Sequence, residues 1–82
     1  MSKKTTVLDF QVIIFPEDGS YSAIAPEINI ATQGDTIEEA RANLKEALEL
    51  RMESLSMDEL AKIKLKLGQK IVATKLDIAV SV

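Results

Sequence analysis

The chain of 82 residues contains neither cysteine nor histidine. Without cysteine it can form no disulfide framework and no thiolate metal site. Without histidine it lacks the commonest general base, the commonest metal ligand and the side chain that titrates near physiological pH. These two absences leave carboxylates as the main candidates for any catalytic or metal-binding chemistry.

Long apolar runs are also missing from the chain. No stretch approaches the roughly 20 apolar residues that a helix needs to span a bilayer. The first residues, MSKKTTVLD, include two lysines but no apolar core or cleavage site after them, so no signal peptide is expected. The cytoplasm is therefore the expected compartment.

The short length limits the size of the fold. We expect a single domain over residues 1–82. A chain of this size buries only about 60% of its unfolded surface, so a monomer should be marginally stable and a homodimer or larger assembly is favoured. The hydrophobic fraction of 46% is ordinary for a globular protein and argues against disorder.

Acidic charge is concentrated in the first half of the chain. Residues 1–35 contain five acidic and two basic residues, whereas residues 36–82 contain eight of each. An acidic surface disfavours nucleic acid and suits a basic partner. The alternative is that the net charge of -3 serves only to keep a small protein soluble.

The first predicted strand spans residues 5–15, TTVLDFQVIIF. Every second residue from Phe10 to Ile14 is apolar and falls on one face of this strand. Ile13 and Phe15 add apolar surface to the opposite face. The outer end of that second face is therefore also a candidate for burial.

A turn and two shorter strands are predicted next. The stretch 16–20, PEDGS, combines proline and glycine with acidic residues and has turn composition. Strands are predicted over 21–26 and 28–32, with Pro26 ending the first of them because proline cannot donate to a ladder. The chain up to this point is expected to be a meander of antiparallel strands.

The first helix, predicted over residues 37–53, has apolar residues at helical spacing along one stripe. Thr36 is the expected N-cap, and Glu39 three residues later completes a capping-box pattern. The expected helix therefore begins directly after the segment Gly34–Asp35–Thr36.

The segment Gly34–Asp35–Thr36 admits two interpretations. A glycine loop that opens a helix can hold a phosphate at the helix N-terminus. Here a single glycine is present where phosphate loops use several, Asp35 would repel a phosphate, and no lysine follows it. The capping-box pattern favours a structural cap formed by Asp35, Thr36 and Glu39.

A second helix is predicted between Ser56, whose capping-box partner is Glu59, and Gly68, which is placed as a stop. The alternation of KIKLKL at 62–67 offers a strand as the rival interpretation. The cap and the stop agree with the helix. No aromatic residue is interleaved with these lysines, so they are expected to be solvated rather than to line a nucleic-acid groove.

The tail, residues 69–82, alternates again and is predicted to return to the sheet as a final strand. At a sheet edge, Lys75 and Asp77 would protect it only weakly, and pairing with another chain is then expected. The predicted order is β-β-β-α-α-β. This is an α+β fold in which an antiparallel sheet carries helices on one face.

Carboxylates are the candidates for metal-dependent nuclease chemistry, and the one plausible trio is Asp9, Glu27 and Asp35. No acid lies at a regular spacing from Asp9, and a catalytic site needs convergent groups. We therefore expect no catalytic residue, no metal and no cofactor.

Tyr21 is the one tyrosine of the chain. It either anchors a partner interface or lies half-buried with its hydroxyl in water.

Residues 17–50, EDGSYSAIAPEINIATQGDTIEEARANLKEALEL, resemble the core of the HicB antitoxin family. That family combines an acidic turn with glycine, Tyr-x-Ala, Pro-Glu, Gly-Asp-Thr and an acidic capped helix. With the first strand, the resemblance covers about residues 8–53. The matching positions are Glu17, Asp18, Gly19, Tyr21, Ala23, Pro26, Glu27, Gln33, Gly34, Asp35, Thr36, Glu38, Glu39, Ala40, Asn43, Leu44, Ala47 and Leu50.

Two features depart from the family pattern. Ile28–Asn29–Ile30–Ala31 replaces the usual Leu-Pro-Gly-Cys-like turn. Full-length members also carry a C-terminal DNA-binding domain, and this chain resembles the short stand-alone members that lack one. Direct binding to nucleic acid is therefore not expected, and the lack of a long apolar run gives the same expectation for a membrane.

The resemblance implies a degenerate ribonuclease H-like fold that has lost catalysis. It also implies binding to a small, basic, HicA-like toxin that cleaves messenger RNA. On this interpretation Glu17, Asp18, Tyr21 and Glu27 are candidate toxin contacts, with the acids facing toxin lysines. The alternative is an oligomeric structural module of the same fold that has no toxin partner.

Overall fold

A computed structural model describes residues 7–69 and 74–81 of the chain. Its elements are β1 (Ile13–Glu17), β2 (Ser20–Ala25), β3 (Ile30–Gly34), α1 (Ile37–Glu53) and α2 (Met57–Leu67). The three strands form one antiparallel sheet with β2 in the middle. The predicted α+β fold, with an antiparallel sheet followed by two helices, is confirmed.

A two-residue turn joins β1 to β2. Asp18 and Gly19 have φ angles of 48° and 79°, the pair of positive values that a type I′ hairpin requires. The turn is shorter than the predicted segment 16–20, because Pro16 and Glu17 already belong to β1. Proline is tolerated there because β1 lies at an edge of the sheet.

The other strand boundaries also differ from those predicted. The ladder of β1 begins at Ile13, whose pair with Ile24 is the first between β1 and β2. Residues 7–12 form no regular strand, and residues 5 and 6 lie outside the described part. β3 begins two residues late, since a turn over 26–29 occupies the start of the predicted strand.

One face of the sheet packs against α1. Ala23 and Ala25 of β2 and Ala40 of α1 are fully buried, and Leu44 is the one large side chain that is fully buried among the described residues. Small side chains on both sides let the helix lie close to the central strand. Partly buried apolar residues surround this core: Ile14, Tyr21, Ile28, Ile30 and Leu48.

The closest approach between the sheet and α1 is at Gly34. A Cβ atom at this position would lie 2.8 Å from Ala40 Cα, closer than real side chains come to backbone. Two hydrogen bonds hold the same contact: Thr32 Oγ1 donates to Ala40 O at 2.9 Å, and Asn43 Nδ2 donates to Gln33 O at 2.8 Å. The end of β3 is thereby fixed to the first turns of the helix.

Both helices begin and end where their sequence signals predict. α1 covers the predicted residues 37–53. α2 includes residues 62–67, so the rival strand interpretation is wrong. Its capping box, made by Ser56 and Glu59, is complete, and Gly68 ends the helix in a right-handed conformation with φ -76°.

The final strand predicted over residues 69–82 is not formed by residues 74–81. These residues belong to no strand and all are exposed. The prediction for residues 70–73 and 82 falls outside the described residues. Alternation indicates which side chains share a face, but a strand also needs a neighbour that accepts and donates its hydrogen bonds. The described order is therefore β-β-β-α-α.

Replacing Gly34 by alanine should lower the free energy of unfolding by about 1–3 kcal/mol, because the new methyl group overlaps the backbone of α1. Urea denaturation at one protein concentration measures this loss. Gly68→Ala is the matched control: its Cβ would meet nothing closer than 3.5 Å at a right-handed φ, so stability should stay the same or rise slightly. Equal losses in the two variants would contradict the close contact.

Candidate functional site

The structure separates the candidate partner-contact residues. Glu17 ends β1 and Asp18 opens the hairpin turn, so both are exposed at one end of the sheet. Tyr21 lies on the face that α1 covers and packs against the core. Glu27 follows β2 at the opposite end, about 16 Å away along that strand. Only Glu17 and Asp18 are brought together.

The carboxylates of Glu17 and Glu27 accept hydrogen bonds from other residues of the chain. The Glu17 carboxylate accepts a hydrogen bond from Ser22 Oγ at 2.5 Å. Both carboxylate oxygens of Glu27 accept from the Gln11 N–H, at 3.1 and 3.2 Å. Glu27 thus holds the segment before β1 against the turn between β2 and β3, a role for which the sequence contains no signal.

The segment Gly34–Asp35–Thr36 has the geometry of a helix cap. Thr36 Oγ1 accepts from the Glu39 N–H at 3.0 Å, and Glu39 Oε1 accepts from the Asp35 N–H at 3.3 Å. The Glu39 carboxylate therefore binds one residue before the N-cap rather than the N-cap itself. Because these groups satisfy each other and Gly34 is packed against α1, the segment has a structural explanation.

The trio Asp9, Glu27 and Asp35 is not brought together. Asp35 follows β3 at the hairpin end of the sheet, whereas Glu27 lies at the other end. Within residues 7–69 and 74–81, no three carboxylates lie close enough to hold a metal ion. In the same part of the chain, no helix has the length and apolar composition needed to cross a membrane.

Several acidic residues lie at the hairpin end of the sheet. Glu17, Asp18 and Asp35 lie there because β1 ends, and α1 begins, at the same end. Glu38 adds a further exposed carboxylate in the first turn of α1. Sequence proximity alone indicated the pair Glu17 and Asp18, but the sheet register adds Asp35.

The sheet face opposite α1 is not covered by any of the described residues. Its side chains are Ile13, Phe15, Glu17, Ser20, Ser22, Ile24, Ala31 and Gln33, which the strand register places side by side. Ile13 is 52% exposed and Phe15 41% exposed, although both lie within a strand. We call this surface the open sheet face. It combines apolar side chains, Ile13 and Phe15 on the edge strand β1 and Ile24 on the central strand β2, with the Glu17 carboxylate at its margin.

A second apolar surface is a groove between residues 8–12, α1 and α2, with a volume of about 630 Å³. Its floor is formed by Leu8, Phe10, Val12, Leu48, Met52 and Leu60. Charged side chains of both signs, including Lys45, Glu49 and Lys64, stand at its margin. We call this surface the helix groove.

The α2 wall of the helix groove is fixed by its N-terminal cap. Ser56 Oγ accepts from the Glu59 N–H at 3.2 Å and donates to Glu59 Oε1 at 3.0 Å. These hydrogen bonds, first from the side chain and then from the backbone of Ser56, lower the pKa of the Glu59 carboxyl below its usual 4.5. The cap therefore favours the ionised form of Glu59.

The chain is similar to a protein of Synechocystis sp. described as UPF0150 protein ssl0738. The two are 56% identical over 43 residues, which are 51% of this chain and 60% of the relative. The chain thus spans less than two thirds of that protein's length. No protein-family model matches the chain, and no solved structure matches it significantly. The likeness to HicB antitoxins stays a prediction.

Ser56→Ala should return the pKa of Glu59 towards 4.5, because it removes the hydroxyl that favours the carboxylate. In the folded wild type this pKa is depressed, so the cap stabilises α2 above about pH 4.5 and the contribution is lost as the pH falls through the folded-state pKa. Carboxyl NMR titration of Glu59 measures the change. Thr36→Ala removes the cap of α1 instead and should leave this titration unaltered. An unchanged Glu59 pKa in Ser56→Ala would contradict the role of the cap.

Proposed function

We propose that this chain is a non-catalytic protein-binding module that binds and neutralises a small basic toxin, as an antitoxin of the HicB kind. The observation that carries the proposal is the charge of the sheet and its turns. Residues 13–36 contain four acidic residues and no lysine or arginine. A partner that fits this unit is basic, and electrostatic attraction would speed its association.

The open sheet face supplies the apolar part of the proposed contact. Ile13 and Phe15 stand exposed beside the Glu17 carboxylate, with Asp18 at the adjoining turn. Apolar side chains at the centre of an interface provide most of its affinity, while charged groups at its margin provide orientation and speed. Glu17 and Asp18 are thus proposed as charged contacts at the hairpin end, and Ile13 and Phe15 as the apolar contacts.

Tyr21 and Glu27 have structural roles that compete with a role as contacts. Tyr21 packs on the covered face, and Glu27 is bound to the Gln11 N–H. We propose that the toxin does not touch Tyr21 directly. Glu27 lies at the end of the sheet away from Glu17 and would meet only a partner that covers the whole length of β2.

The positions that resemble the HicB core support the proposal through the fold. Asp18 and Gly19 form the hairpin turn, Gly34 permits the helix contact, and Thr36 caps α1. The departure at residues 28–31 is structural as well. Asn29 has a φ of 56°, which a proline at that position could not adopt, so this turn differs from the family's Leu-Pro-Gly-Cys-like turn.

The second candidate function is an oligomeric structural module with no toxin partner. It is supported by the exposed apolar residues of the open sheet face and the helix groove, which self-association could bury. The two candidates predict different gene neighbourhoods. A short adjacent reading frame that encodes a basic protein favours the antitoxin, and the absence of such a frame favours the structural module.

The direct experiment is to co-express the chain with the product of the adjacent small basic reading frame. Calorimetry should detect a tight complex, and cleavage of messenger RNA by the partner should stop when the chain is added. The chain alone should not cleave RNA with Mg²⁺ present. A cleavage activity that Asp9→Asn abolishes would contradict the proposal that the chain has no catalytic role.

Phe15→Ser should weaken toxin binding at least about tenfold, because it removes an aromatic contact from the open sheet face. Leu50→Ser is the matched control: Leu50 is 59% exposed on α1, away from the sheet, so binding should not change. Calorimetry measures both affinities, and circular dichroism checks that both variants fold. Equal affinities in the two variants would exclude the open sheet face as the toxin surface.

The double variant Glu17→Gln, Asp18→Asn should slow association with a basic toxin several-fold and reduce its dependence on salt. Glutamine can keep the hydrogen bond with Ser22, and asparagine tolerates the positive φ of the turn. Stopped-flow kinetics at two ionic strengths gives the rates. The double variant Glu46→Gln, Asp58→Asn removes the same number of exposed charges from the two helices and is the control, and an identical effect there would indicate net charge rather than local contact.

A further inference from the structure

The outer edge of β3 has no strand beside it in the described part of the chain, because the sheet order is β1-β2-β3. The two-residue hairpin turn makes the last pair of β1 and β2 a hydrogen-bonded one, so every second residue of β2 from Tyr21 to Ala25 bonds to β3 instead. The partners of these residues turn inwards, and the residues between the partners turn outwards. The N–H and C=O groups of Ala31 and Gln33 therefore form the outer edge of β3.

The sequence of β3 lacks the usual protection of an edge strand. Open edges pair with other chains unless proline, charged side chains or a covering element prevents it. The other edge strand, β1, contains Pro16, whose nitrogen lies on the outer side because the neighbouring Glu17 bonds to β2. The sequence of β3, IATQG, contains neither proline nor a charged residue. Its protection therefore has to come from outside the strand.

Two side chains of α1 bind backbone groups at this edge. Asn43 Nδ2 donates to Gln33 O at 2.8 Å, and Gln33 is one of the residues that turn outwards. Glu39 Oε1 accepts from the Asp35 N–H at 3.3 Å, just beyond the end of β3. Asn43 and Glu39 are four residues apart and share one side of α1. The hydrogen bond from Asn43 thus belongs to the edge itself, in addition to holding the helix on the sheet.

Pairing of two copies through β3 would need the acceptor that Asn43 occupies. Two β3 strands can align antiparallel about a twofold axis at Thr32, which places Ala31 of one copy opposite Gln33 of the other. In this register the outward Ala31 N–H would donate to Gln33 O of the second copy. No like charges would face each other along the paired strands, since β3 is uncharged. The edge is therefore self-complementary apart from the carbonyl that the Asn43 amide already binds.

We propose that Asn43 closes the outer edge of β3 to a second copy of this chain. Its amide nitrogen stands where the N–H of an added strand would stand, because both donate to Gln33 O. The covering helix thereby supplies the protection that proline supplies in β1. The proposal does not rest on the proposed function, because it concerns backbone groups at the edge of the sheet and not the side chains of the open sheet face.

Amide hydrogen exchange of Ala31 and Gln33, followed by NMR at low and high protein concentration, tests the proposal. In the wild type both outward N–H groups should exchange rapidly at every concentration. Asn43→Ala removes the amide and places a strong helix former in α1. At high concentration, pairing of this variant should slow exchange at both positions at least about tenfold. Glu46→Ala truncates another exposed side chain of α1 and should leave both rates unchanged.

The direction of the change separates closure of the edge from attachment of the helix. If Asn43 only held α1 on the sheet, Asn43→Ala would loosen the sheet and speed exchange rather than slow it. The double variant Ala31→Pro, Asn43→Ala lacks the outward N–H and should lose the protection of Gln33 at high concentration.

Three outcomes would overturn the proposal. The first is exchange of the wild type that slows with concentration, because the edge would then pair although Asn43 is present. The second is rapid exchange of Asn43→Ala at every concentration. The third is protection of Gln33 that persists when Ala31→Pro is added, because the association would then use a different surface.

Discussion

The close contact between α1 and the two strands β2 and β3 holds this fold together. Gly34 has no side chain, and Ala23 and Ala25 have small ones, so the helix can approach the sheet closely; Leu44 packs in the same core. Hydrogen bonds at the end of β3 keep the helix at that distance. The rest of the structure depends on this contact, because β1 is attached through β2 and α2 follows α1 along the chain.

A core of this size leaves much apolar surface exposed. The helix covers one face of the sheet, so Ile13 and Phe15 remain on the open sheet face, while the helix groove lies between the segment before β1 and the two helices. The two surfaces lie on opposite sides of the sheet. The acidic residues of the sheet and its turns would favour a basic partner at the open sheet face.

The helices could be predicted from the sequence and the strands only in part. Thr36 and Ser56 mark helix starts because their hydroxyl groups bind backbone N–H groups three residues later, an interaction that is complete within the local sequence. A strand depends on partners that are distant in the chain. The alternation at residues 5–15 therefore indicated the correct faces, but the register with β2 decided where the ladder begins.

The features of the candidate site also fall into two groups, those that the sequence predicts and those that only the tertiary structure shows. By itself, the sequence determined the acidic character of the first half, the absence of histidine and cysteine chemistry, the two capped helices and the adjacency of Glu17 and Asp18. Only the tertiary structure decided that Asp35 joins those acids, that Glu27 lies at the far end and is bound to Gln11, and that residues 74–81 form no strand. The physical reason is the range of the interactions. A helix cap forms between residues a few positions apart, so the local sequence determines it. Sheet register and helix packing bring together residues that are distant in the chain, and their separation in the sequence does not give their distance in space.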